Sequence, residues 1–131
     1  MKFAHINQYV ADVPASLAFY KAAFGLATRF VAEGSDYAEM ESGAVTIAFT
    51  RETFVAEQGA EFRRLRATDT AHGFDIGFTT DDVHAAFSRA VAAGASPIMP
   101  PQQKPWGQVV GYVRDLNGTV VEIGSPMAAA T

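Results

Sequence analysis

The chain contains no cysteine, which excludes disulfides, Cys-ligated zinc and thiol nucleophiles. It is short of charge: Asp, Glu, Lys and Arg make up 18% of 131 residues, and the net charge is −4. Domains that grip a phosphate backbone are usually basic, so a nucleic-acid partner is not expected. No apolar run approaches the roughly 18 residues of a membrane span. The opening residues, Met1 to His5, lead straight into strand-like alternation. They lack the apolar stretch of a signal peptide, and the expected compartment is the cytoplasm. There is no Gly-x-Ser-x-Gly elbow for a hydrolase triad. There is also no glycine-rich phosphate loop or dinucleotide fingerprint. At about 150 residues per domain, the length predicts a single domain over 1–131.

What is present is a repeated order of elements. Ala4, Ile6 and Val10 alternate with His5, Asn7 and Tyr9, a period of two that predicts a strand. Asp12-Val13-Pro14 then opens a helix with an apolar stripe of Leu17, Phe19, Tyr20 and Phe24, closed by Gly25. Strands are predicted over 27–33, 37–41 and 45–50, with Phe49 turned to the core. Residues 51–73 break the pattern and read as a connector with one helical turn, its Arg63, Arg64 and Arg66 solvated. The order then restarts. Phe74, Ile76 and Phe78 alternate with Asp75, Gly77 and Thr79, and Asp81-Asp82-Val83 opens a second helix ending near Gly94. A short strand over 96–99, a proline-rich loop over 100–105, and strands over 108–114 and 119–124 follow. Asn117-Gly118 marks the last hairpin. Arg114 is expected to pair with Asp115, His84 to lie on the surface, and residues from Ser125 onward to fray.

Asp75 follows His5 by 70 residues, and each begins a unit of strand, helix and three strands. This predicts an α+β fold of two βαβββ modules in tandem, each sheet covered on its apolar side by a helix. Module one spans about 1–52, the connector about 53–72 and module two about 73–125. Two curled mixed sheets of this kind would make a concave cup lined by the more polar set of side chains, the natural place for a ligand.

Three stretches carry a resemblance. They are Phe19-Tyr20-Lys21-Ala22-Ala23-Phe24-Gly25-Leu26, then Thr80-Asp81-Asp82-Val83 with Ala93-Gly94-Ala95, and lastly Trp106-Gly107-Gln108 with Arg114-Asp115-Leu116-Asn117-Gly118-Thr119-Val120-Val121-Glu122-Ile123. In this order they resemble the vicinal oxygen chelate superfamily: glyoxalase I, bleomycin- and fosfomycin-resistance proteins and extradiol dioxygenases. Leu116 stands where the family usually has proline. The resemblance implies four cup-facing positions, which fall on His5, Ala48, Asp75 and Glu122. Ala48 lies five residues after Gly43 and Glu122 four after Gly118, which leaves the equivalence of Ala48 open.

Metal-binding members carry a side-chain ligand at the Ala48 position and typically His at the Asp75 position. His5, Asp75 and Glu122 nonetheless offer one imidazole and two carboxylates, a set suited to a hard divalent ion or Fe²⁺. Two readings follow. In the first, a bleomycin-resistance-like protein holds a small aromatic or apolar molecule in the cup without a complete metal site. Asn7, Tyr9, Trp106 and Tyr112 are then the candidate contacts, because aromatic side chains stack on planar ligands. In the second, a glyoxalase I-like metal-dependent lyase, or a dioxygenase, uses His5, Asp75 and Glu122 as ligands and Glu122 as the catalytic proton shuttle. The resemblance also implies a homodimer with a small-molecule ligand.

Overall fold

The computed structural model describes residues 1–127, which form two compact units divided between Arg66 and Ala67. In the first unit β1 (His5–Val10) leads into helix α1 (Val13–Phe24). Strands β2 (Thr28–Val31), β3 (Tyr37–Met40) and β4 (Thr46–Arg51) follow, and then helix α2 (Glu52–Glu57). The sheet order is β1-β4-β3-β2, with β1 parallel to β4 and the other pairs antiparallel. The second unit repeats the plan. Strand β5 (Asp75–Thr79), helix α3 (Val83–Ala92) and strands β6 (Ser96–Gln103), β7 (Val109–Arg114) and β8 (Val120–Gly124) form a sheet of order β5-β8-β7-β6. Only β5–β8 is parallel. The tandem βαβββ architecture is therefore present, with two open mixed sheets.

Local signals place the helices. Asp12 accepts a hydrogen bond from the Ala15 amide at 2.9 Å, capping α1, and Asp82 does the same for Ala85 at 3.0 Å at the start of α3. Gly25 ends α1 in the left-handed conformation, φ 72°, and donates to the Lys21 carbonyl. In the first unit the core lies between α1 and one face of the sheet. Tyr20, Phe49, Met40 and Val10 are fully buried there, and the Tyr20 and Phe49 rings meet at 5.1 Å. Burying side chains of this size stabilises by about 1.5–3 kcal/mol each. Gln8 shares this face, and its amide donates to the Tyr20 hydroxyl at 3.0 Å. In the second unit α3 approaches β7 closely. A methyl group added at Gly111 would lie 3.0 Å from Phe87 Cδ2 and 3.2 Å from the Pro101 nitrogen.

Four expectations change. The proline-rich stretch 100–103 is strand, not loop, because β6 is an edge strand whose register shifts between Pro97 and Met99 and again between Met99 and Gln102. Edges and bulges are where a strand tolerates residues lacking an amide donor. The connector begins with the six-residue helix α2, and Arg64 and Arg66 are not simply solvated. Both bind Glu52, whose side chain is 6% exposed. Arg66 does so bidentately at 2.6 and 2.9 Å, and Arg64 at 3.0 Å. Arg114 donates to the Gly118 carbonyl at 2.8 Å rather than pairing with Asp115. Asp115 instead accepts from the Asn117 and Thr119 amides, both at 2.9 Å, so the turn is organised without the missing proline. Finally, Ser125 is held to Val109 through its amide and its hydroxyl. Within the expected frayed tail, residues 128–131 lie outside the described residues.

Candidate functional site

Strand register decides which side chains share a face. In the second sheet Gly77, Glu122 and Tyr112 stand side by side on β5, β8 and β7. Asp75 is two residues before Gly77 on the same face. In the first sheet the same rows read Asn7, Ala48 and Glu39, with His5 opposite Thr46. His5 and Asp75 thus hold matching positions in their own sheets, as do Ala48 and Glu122. The one-residue difference between the hairpins does not alter that match.

Glu122 is half-buried, and among the described residues no hydrogen bond or ion pair holds its carboxylate. Burial raises its pKa above the usual carboxylate range, the negative charge of Asp75 raises it further, and Lys104 opposes both. Burial likewise raises the Tyr112 phenol, with Glu122 and then Asp75 adding to the effect. Asp75 itself is exposed. The charge of Asp75 thus reaches both Glu122 and Tyr112, and that of Lys104 reaches Glu122. Next to Glu122, Gly77 leaves open space: a methyl group added there would meet no atom within 4 Å.

The β6–β7 turn reaches this face: Gln108 Nε2 and Glu122 Oε1 would lie 3.2 and 3.5 Å from a methyl group added at Gly124. Lys104 and Gln108 bond through their backbones at 2.7 Å, and Gly107 donates to the Lys104 carbonyl at 2.9 Å. Trp106, 60% exposed at the tip, donates its indole N–H to Gln108 Oε1 at 3.0 Å. Nothing in the sequence marked Gln108 or Lys104 as site residues. Only the turn carries them towards Glu122.

On the polar face of the first sheet, Asn7 accepts from the Thr50 hydroxyl at 2.9 Å, and the Tyr37 hydroxyl donates to Glu39 at 2.9 Å. Tyr9 meets Phe62 edge-on at 5.0 Å. Phe62 comes from the connector and also lies under the Arg64 guanidinium, 5.8 Å away. Tyr9 and Asn7 are thus on the polar face, but each already has a partner there.

The second unit supplies two carboxylates, Asp75 and Glu122, to a prospective metal ion. The first supplies His5, with no donor at Ala48. Among the described residues no group of three or more His, Asp or Glu side chains is gathered to hold a cation. Neither unit by itself fits a metal centre.

A comparison with curated proteins gives no match. Solved structures share the fold at low identity. A glyoxalase-related enzyme from Fulvimarina pelagi is 23% identical with a TM-score of 0.82, the match covering 96% of this chain and 88% of that one. A glyoxalase/bleomycin resistance protein/dioxygenase family enzyme from Burkholderia phytofirmans is 21% identical with a TM-score of 0.74, covering 95% and 98%. A glyoxalase/bleomycin resistance protein/dioxygenase from Nocardioides is 19% identical with a TM-score of 0.71, covering 100% and 87%. The family model of that superfamily matches residues 2–123, nearly the whole chain. With the tandem βαβββ units and the matching positions of their first and fourth strands, this establishes that the chain belongs to the glyoxalase/bleomycin resistance protein/dioxygenase superfamily.

Proposed function

We propose that the protein binds a small aromatic or apolar molecule with a polar end on the face that carries Glu122, without a complete metal site. The observation that supports this reading is Glu122 itself: half-buried, without a fixed donor, and beside the open space at Gly77. A desolvated acid with no partner inside the fold is satisfied when a ligand brings one. Because its pKa is raised, Glu122 carries a proton further towards neutral pH than an ordinary carboxyl. It can then donate to a ligand oxygen or accept from a ligand N–H. Tyr112 adds a phenol, and Lys104 a positive charge. Trp106 offers a flat apolar surface at the rim, and Tyr9 and Asn7 are proposed as further contacts. The reading takes both modules as one functional domain, acting as a cytoplasmic homodimer in keeping with the family.

A second reading has one observation in its favour. Asp75 and Glu122 repel one another, and a divalent cation bound by them with His5 would relieve that repulsion. The protein would then be a metal-dependent lyase or dioxygenase, with Glu122 moving the proton.

Trp106 is the sole tryptophan, so its fluorescence reports on the β6–β7 turn alone. Titration with a panel of planar aromatic compounds is expected to give saturable quenching by at least one. That quenching should weaken in Glu122→Gln. No quenching by any compound refutes the first reading. Elemental analysis and divalent-ion titration of untagged protein test the second, which fails if wild type takes up no metal.

A further inference from the structure

We infer that Gln108 is a positioning residue that fixes the Trp106 indole beside the Glu122 face and makes the β6–β7 turn a preformed wall. The inference rests on reading that face as the ligand site. Both ends of the Gln108 amide are committed. Oε1 accepts from the Trp106 indole N–H at 3.0 Å, and Nε2 donates to the Ser125 carbonyl at 2.8 Å. The side chain therefore bridges an exposed aromatic tip to the end of β8, one end of the amide accepting and the other donating.

Gly124 lies against the bridge. A methyl group added to it would lie 3.2 Å from Gln108 Nε2 and 3.5 Å from Glu122 Oε1. The amide and the carboxylate thus flank the same bare α-carbon. Gly124 has no left-handed backbone requirement, so its smallness serves this crowding and not a turn. Ser125 is pinned in turn, its hydroxyl accepting from the Val109 amide at 2.8 Å. The chain of bonds from β7 through Ser125 and Gln108 holds the indole of a residue that is otherwise 60% exposed. An aromatic wall held before the ligand arrives loses less rotamer freedom on binding.

The indole N–H gives a single resonance that reads this bond directly, whatever the ligand is. In Gln108→Leu that resonance is expected to move upfield. Its hydrogen exchange should quicken by roughly two- to tenfold, the factor expected for one lost hydrogen bond. Tryptophan fluorescence anisotropy should fall. Gln108→Glu keeps an acceptor for the indole but loses the donor to Ser125, so the indole N–H should stay hydrogen-bonded while the tryptophan anisotropy falls. Gly124→Ala sets a methyl group 3.2 Å from Nε2 and should shift the resonance in the same direction as Gln108→Leu. A wild-type indole signal in folded Gln108→Leu overturns the inference. If that variant does not fold, the same result in Gly124→Ala does so. Any planar compound that quenches the wild type should bind roughly two- to tenfold more weakly to Gln108→Leu. Absence of quenching in the wild type counts against the functional reading, while the indole resonance still decides the role of Gln108.

Discussion

Replacing Glu52 by Gln keeps the shape of the side chain and removes its charge. The wild-type carboxylate is 6% exposed and takes three close contacts from two guanidinium groups, Arg66 at 2.6 and 2.9 Å and Arg64 at 3.0 Å. A hydrogen bond to a charged group contributes about 1.5–3 kcal/mol. The three do not add, because the arginines remain 43% and 42% exposed and regain water when released. We expect Glu52→Gln to cost about 2–3 kcal/mol in urea denaturation at pH 7. Arg66→Ala should cost about 2–4 kcal/mol, since it leaves the carboxylate buried with Arg64 alone. The double variant should cost less than the sum of the two.

The pH dependence has a definite sign. Bonding to Arg66 and then to Arg64, against the cost of burial, holds Glu52 below the usual carboxylate range. Its contribution is therefore present above the unfolded pKa of about 4.3 and disappears as pH falls through the lower folded value. Wild type and Glu52→Gln should converge in acid. The same clamp holds the connector whose Phe62 lies against Tyr9, so hydrogen exchange over 58–66 should rise in the variant. A cost below about 0.5 kcal/mol at pH 7 would refute the reasoning and reduce the cluster to a surface ion pair.

Glu122 carries the opposite sign. Its raised pKa makes the charged form a burden on the fold above the unfolded value, so Glu122→Gln should raise Tm at pH 7 and leave it unchanged near pH 3. Equal Tm values at pH 7 would show that the carboxyl is not strained. Gly111→Ala should destabilise by about 1–3 kcal/mol in chemical denaturation, because its methyl group meets Phe87 and the backbone of Pro101. Gly77→Leu meets nothing at its Cβ and should leave Tm unchanged or higher. It should weaken the binding of any compound that quenches Trp106 by roughly tenfold or more, a loss of about 1.4 kcal/mol. Undiminished quenching there would move the ligand away from Gly77.

Much of the architecture was legible in the chain because its signals are local. Period-two alternation at His5–Val10 and Asp75–Thr79, the caps at Asp12 and Asp82 and the left-handed stop at Gly25 each act within a few residues. Their repetition 70 residues apart announced two modules. Where edge position overrides local preference, the reading failed: prolines at 100 and 101 argue for loop until the strand is known to lie outermost. Long-range partners were equally hidden, and so Arg64 and Arg66 looked solvated although Glu52 waits for them 12 and 14 residues upstream.

The candidate site divides in the same way. The family resemblance singled out Glu122, Asp75 and His5, and residue type singled out Tyr112 and Trp106. Tertiary structure alone decided that Ala48 is the counterpart of Glu122, because that depends on the pairing of β1 with β4 and of β5 with β8. It also decided that Gly77 leaves space beside the acid, and that Gln108 joins Trp106 to Ser125 across a bare glycine. Alternation says which way a side chain points. What it meets is set by register and by the return of the chain, which no single stretch of sequence contains.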